Sequence, residues 1–279
     1  MKTPPIALVL LTLAAPLARS DDAPSGDGLP AADDVADVPA IDVRLGDDPK
    51  KRYALIGLDE ERKAPKKGYK LLVILPGGTG AVDFHPFCKR IHKHVLDDGW
   101  LTAQIVAPVW SEKQAETHVW PTREHEWKGM EFATEDFVFE AIEDVARRAK
   151  LDPAAILTLT WSSSGPAGYA MALAKDSPIN GSFVAMSVFK PDLLPNLDRA
   201  KRHPFYILHS PEDFIPIAMA EKAEKDLTKH RGRVELVEYE GGHGWQGDVY
   251  GMMRAGVSYL ERERSNKARR KITSRKRGN

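Results

Sequence analysis

Short apolar runs recur along the chain, and most of them are apolar throughout instead of alternating with polar residues. They are YALIGL, KLLVILP, LTAQIVAPV, AILTLT, GSFVAMSV, PFYILHS and VELVEYE. A strand covered on both faces has no solvent side on which to place polar residues, so near-continuous Val, Ile and Leu point to a parallel sheet. Segments of helical period lie between the runs. In one of them Val138, Ile142, Val145 and Ala149 share a face, Glu135 and Asp136 fall in the first turn, and Thr134 is placed to cap it. Alternating β and α segments of these lengths predict an α/β fold, a doubly wound and mostly parallel sheet with right-handed crossovers. No internal repeat is visible.

The two ends depart from this pattern. Residues 1–20, MKTPPIALVLLTLAAPLARS, place a lysine before an apolar core and finish on small residues. That is the layout of a cleavable signal peptide. The run is shorter than a bilayer span and carries Pro4, Pro5 and Pro16, so stable membrane insertion is not expected. Cleavage after Ser20 would give a secreted or periplasmic protein. Residues 21–48 are rich in Asp, Pro, Gly and Ala and are expected to form an acidic disordered linker. The catalytic domain is expected over residues 49–264. Residues 265–279 form a basic tail, expected to be disordered, whose partner would be an anionic surface held by loose electrostatic contact.

Charge over the whole chain removes some partners. Lys+Arg and Asp+Glu number 40 each, so no net field draws the protein to nucleic acid. Cys88 stands alone and cannot form an intramolecular disulfide; its setting in FHPFCKRIHKHV suits a buried, inert thiol. His92, His94, His118 and His125 lack partners at a metal-ligand spacing, so no metal site is expected.

Reactive groups in a doubly wound sheet gather beyond the carboxyl ends of its strands. KLLVILP runs into GGTG, AILTLT into WSSSG, PFYILHS into PEDF, and VELVEYE into GGHGW. The glycine loop lacks the lysine and Ser/Thr of a phosphate-binding loop. A serine cluster or an aspartate before a helix also serves simply as a cap, so the four ends count only together.

The order of glycine loop, Ser, Asp and His resembles the α/β-hydrolase superfamily. The likeness runs from about Tyr53 to Arg262 and is nearest the compact esterases of dienelactone-hydrolase and phospholipase/carboxylesterase type. Only the short FKPDLLPNLDRAKRH stands where a large cap would be inserted. The resemblance implies a nucleophile at Ser162, with Thr160 and Ser164 in place of the usual elbow glycines; Ser163 is the alternative. It implies Asp213 as the acid, in HSPEDFIP, and His243 as the base. Oxyanion donors would be the backbone N–H groups of Ser163 and Gly78, with Thr79 the alternative to Gly78.

The implied reaction is hydrolysis of a small-molecule carboxylic ester, with no metal or organic cofactor. Trp120, Trp161 and Trp245 are expected to line the substrate pocket, the alternative being that they pack beneath the loops. Arg123, Lys128 and Lys190 are candidates to hold a carboxylate. Two other functions stay open: a serine peptidase of the same fold, and a non-catalytic binding protein on the same scaffold.

Overall fold

In the computed structural model, residues 29–276 are described apart from residue 60, with side chains to residue 263. Strands β1 (Ala40–Arg44), β2 (Arg52–Ile56), β3 (Tyr69–Leu75), β4 (Trp100–Ile105), β5 (Leu151–Trp161), β6 (Gly181–Ala185), β7 (Pro204–His209) and β8 (Arg233–Glu238) form one sheet of 8 strands in the order β1-β2-β4-β3-β5-β6-β7-β8. β1 and β2, and β2 and β4, pair antiparallel; every other neighbour is parallel. This is the doubly wound, mostly parallel sheet expected from the apolar runs.

Both faces of the sheet are covered, which is why those runs lack alternation. On β3, Leu71, Val73 and Leu75 pack with Phe137, Val138 and Ala141 of α3 (Thr134–Arg148) and with Ala167 and Met171 of α4 (Gly165–Leu173). Leu72 and Ile74 face the other way, onto Cys88 and Ile91 of α1 (His85–Val95) and Met253, Val257 and Leu260 of α6 (Val249–Lys276). α5 (Ala218–Lys229) continues the first layer over β7 through Ala220, Ala223 and Leu227. The six-residue α2 (Glu112–Thr117) lies in the long connection between β4 and α3. Burial raises the Cys88 thiol pKa well above its ordinary value, as suits an inert packing residue.

Thr134 does not cap α3. It is the first helical residue and its hydroxyl donates to the Pro121 carbonyl at 2.7 Å, while the Asp136 carboxylate accepts the Ala133 N–H at 3.2 Å. The cap is thus made from within the helix, and the threonine anchors the preceding loop.

Two readings of the chain ends are corrected. Within the stretch read as a linker, residues 40–44 form the edge strand β1, paired Ala40↔Ile56 through Arg44↔Arg52, and Val35, Val38, Val43 and Leu45 are buried. Mean composition hid this, because the few apolar residues are spaced to meet the sheet and the acids find cations. Arg52 pairs with Asp42 at 2.8 Å, Arg90 with Asp34 at 2.6 Å and Lys93 with Asp37 at 2.7 Å. The Arg90 hydrogen bond also holds the Asp34 carboxyl below its usual range. At the other end the α6 backbone continues to Lys276, through most of the tail read as disordered. Lys and Arg are good helix formers and suit a helix C-terminus, where the dipole favours cations. The signal-peptide segment, residues 1–20, lies outside the described residues, and no described helix is long and apolar enough to cross a membrane.

Leu45 is 5% exposed in this recruited segment. Leu45→Ala is expected to cost about 2–5 kcal/mol of stability in urea unfolding, the range for a buried leucine. A free linker would show no change.

Candidate active site

β5 passes into α4 through a single turn of three serines, and Ser162 takes a left-handed φ of 54° there. A residue with a Cβ adopts this conformation at a cost of about 1–3 kcal/mol, so neighbouring contacts must hold it. Ser164, fully buried, accepts the Trp161 N–H at 2.9 Å and donates to the Leu75 carbonyl at 2.6 Å. Ser187, at the end of β6, donates to the Ser162 carbonyl at 2.6 Å. These bonds clamp the strained residue on both sides.

The missing elbow glycines are explained by the same contacts. Ser164 fits because its hydroxyl is consumed by backbone groups of β3 and β5. Thr160 fits because α4 presents Gly168, where an added Cβ would lie 2.3 Å from Thr160 Oγ1. The space normally given up by the strand is given up by the helix.

Ser162 Oγ lies 2.9 Å from His243 Nε2, and His243 Nδ1 lies 2.9 and 3.0 Å from the two carboxylate oxygens of Asp213. The Asp213 carboxylate can only accept, so Nδ1 carries the proton and Nε2 is left to accept from the serine. The Asp213 side chain has no exposed surface, and its Oδ1 also accepts the Ile215 N–H at 2.8 Å. Ser163 points elsewhere: its hydroxyl donates to the Gly78 carbonyl at 2.8 Å. Of the two serines left open by the sequence, Ser162 is the one that meets the histidine.

Asp213 follows β7 and His243 follows β8, and small bonds fix these loops to each other. Ser210 Oγ accepts N–H groups from Glu212 at 3.2 Å and Gly242 at 3.1 Å. Glu212, the acid beside Asp213, accepts the Gly241 N–H at 3.3 Å and so braces the histidine loop. Tyr239 places its hydroxyl 2.8 Å from the Gly242 carbonyl and 2.9 Å from that of Gly244, spanning His243 from below. Burial, with the Asp213 charge adding to it, pushes the Tyr239 pKa up to about 12, so it stays a donor at neutral pH.

A cleft of about 370 Å³ opens beside the serine. Ser162, Ser163, Gly78 and Trp120 line it, and Trp120 is anchored by an Nε1–H bond to the Pro76 carbonyl at 3.2 Å. Trp161 and Trp245 do not. Trp161 is the last strand residue before the turn, and strand alternation puts it with Leu157 and Leu159 on the face covered by α1 and α6. There its ring meets Trp245 edge-on at 5.7 Å and Phe87 at 5.9 Å, as part of the core shared with α1 and α6. Their place is beneath the site. The glycine loop rests directly on Trp161, since a Cβ on Gly77 would lie 2.6 Å from its ring.

The cleft also holds residues that no motif marks. Phe214, 77% exposed, packs at a tilt against His243 with ring centroids 4.4 Å apart. Leu193 and Leu194 come from the connector after β6, and His118, His125 and Lys190 complete one wall. Phe214 was traceable as the neighbour of Asp213; the rest depend on how loops converge. No group of three metal-ligating side chains occurs among the described residues.

Neither a protein-family model nor a curated protein sequence matches this chain. Solved structures do. An α/β-hydrolase enzyme from a Medee basin deep-sea metagenome library superposes with a TM-score of 0.59 over 82% of this chain and 98% of that one, at 13% identity. A carboxylesterase from Bacillus cereus gives 0.55 over 76% and 93%, at 15% identity. A sugar hydrolase from Lactococcus lactis gives 0.58 over 82% and 99%, at 16% identity. At these identities the likeness establishes the fold.

One wall of the cleft is pinned by a buried carboxyl. Glu135 has no exposed surface and accepts the Arg123 backbone N–H with its two oxygens at 3.3 Å each, holding the loop that carries Trp120 and His125. Burial raises its pKa from 4.5 to about 7. Between those values the folded protein keeps a proton that the unfolded chain releases, so stability falls as pH rises through this window. Unfolding free energy measured from pH 4.5 to 7 is expected to decline more steeply for the wild type than for Glu135→Gln. Equal slopes would contradict this.

Proposed function

We propose that this protein, built on the α/β-hydrolase fold, is a serine hydrolase that cleaves small-molecule carboxylic esters through an acyl-enzyme. The observation that carries the reading is the continuous relay from Ser162 Oγ to His243 Nε2 at 2.9 Å and from His243 Nδ1 to Asp213 at 2.9 Å. A binding protein on the same scaffold has no use for this relay on a strained turn. The neighbours described as a carboxylesterase and as a sugar hydrolase support hydrolysis as the chemistry.

The steps follow from the geometry. His243 Nε2 takes the Ser162 proton as Oγ attacks the ester carbonyl carbon, because the hydroxyl alone is a poor nucleophile at neutral pH. Asp213 keeps the ring oriented and stabilises the imidazolium. The carbonyl oxygen, now an anion, is received by the backbone N–H groups of Ser163 and Gly78, each such donor contributing about 3 kcal/mol. The tetrahedral adduct collapses, and His243 protonates the departing alcohol oxygen. Water then enters, gives a proton to His243 and attacks the acyl carbon; Ser162 leaves with that proton and the acid is released. No metal or organic cofactor takes part in these steps.

We also propose that the protein is exported, on the strength of the N-terminal pattern in residues 1–20.

Purified protein is expected to hydrolyse 4-nitrophenyl esters of short acids. Ser162→Ala and His243→Ala should each lower kcat/KM by about 10⁴-fold or more, while Ser163→Ala, which loses one hydrogen bond to a carbonyl, should stay within about tenfold. Activity that survives Ser162→Ala would contradict the assignment. N-terminal sequencing of protein recovered from the secreting cells should begin at Asp21; an intact Met1 would refute export.

A further inference from the structure

Ser162, Ser163 and Gly78 line the cleft, as does Phe214, which packs against the His243 ring, whereas His243 itself does not. In the proposed reaction the alcohol leaves toward His243, which protonates it, and the cleft is assigned on that basis to the acyl arm of the ester.

Three cations were candidates to meet a charge on that arm, and their settings differ. Arg123 is held between Asp136 at 2.5 Å and Asp176 at 2.8 Å. Lys128 lines a separate hollow, with Glu126, Glu131 and Asp136 around it. Lys190 alone of the three lines the cleft, and it makes no ion pair among the described residues. Glu116 is the one carboxylate among the described lining residues, and it too makes no ion pair.

Beside Lys190 the His118 and His125 rings pack at a tilt with centroids 3.9 Å apart. Burial, then the neighbouring His125, then Lys190 push the His118 pKa down to about 4; burial and Lys190 lower that of His125. Both rings are therefore neutral near pH 7 and each keeps one N–H to donate, with the positive charge residing on Lys190. Val188, Leu193, Leu194 and Ile215 add apolar surface to the same cleft. An apolar lining that shares its cleft with an ammonium making no ion pair and with two imidazole donors matches a short methylene chain that ends in an anion.

We propose that Lys190, with His118 and His125, forms a subsite for a carboxylate at the end of the acyl arm, so that the preferred substrates are monoesters of short dicarboxylic acids. This rests on the ester-hydrolase reading and adds the substrate class.

The test compares mono-4-nitrophenyl glutarate with 4-nitrophenyl butanoate on the full-length protein. The ratio of kcat/KM values should favour the glutarate ester in the wild type and fall by about tenfold or more in Lys190→Gln, as expected on losing a hydrogen bond to a charged group, and further in Lys190→Glu. A ratio that stays within about twofold of the wild type in both variants would overturn the subsite. If neither ester is cleaved, the hydrolase reading fails by itself and glutarate binding decides the subsite. Calorimetric binding to the wild type that Lys190→Gln removes would support it; no binding, or equal binding, would overturn it.

Discussion

A left-handed φ of 54° at Ser162 is the constraint around which the rest of the site is arranged. The turn lifts the hydroxyl off the end of β5 and aims it across the sheet, but a side chain in that conformation is unfavourable by about 1–3 kcal/mol and relaxes unless it is held. Holding it takes β3, through Leu75 and Ser164, and the end of β6, through Ser187. It also takes close approach of α4 to β5 at Gly168. These are central strands of the sheet, buried on both faces, so the strained residue is tied to a close-packed part of the fold.

Around that fixed point the other two groups arrive on loops that are rigid for local reasons. Ser210 joins the Asp213 and His243 loops, Glu212 braces Gly241, and the Tyr239 hydroxyl supports the carbonyls on either side of the histidine. None of these residues meets the substrate cleft. Their effect is on where His243 stands, and the His243 ring must be placed to within a few tenths of an ångström for proton transfer to work. The aromatic layer of Trp161, Trp245 and Phe87 does the equivalent from beneath, giving the glycine loop a flat surface to lie on.

What the sequence displayed was the part governed by period and by strand ends. The apolar runs located the parallel strands because double burial removes alternation, and Ser162, Asp213 and His243 stood out because each follows such a run. Composition misled where it averaged over sparse apolar residues: Val43 on the edge strand and Leu45 just after it are buried inside an acidic stretch whose aspartates are met by Arg52, Arg90 and Lys93. Trp161 and Trp245 misled because proximity in sequence to a reactive residue does not fix a face, and alternation turned Trp161 inward. Ser187, Tyr239, Lys190 and the His118–His125 pair carry no local pattern at all. Their positions come from tertiary convergence of separate loops, which a linear reading does not contain.

The proposed reaction requires Ser162 to be the nucleophile of the site. The most direct test is to treat the folded protein with a fluorophosphonate and map the modified peptide by mass spectrometry. One adduct is expected, on Ser162, absent when His243 is replaced by alanine. An adduct on Ser163, or none on folded protein, would contradict it.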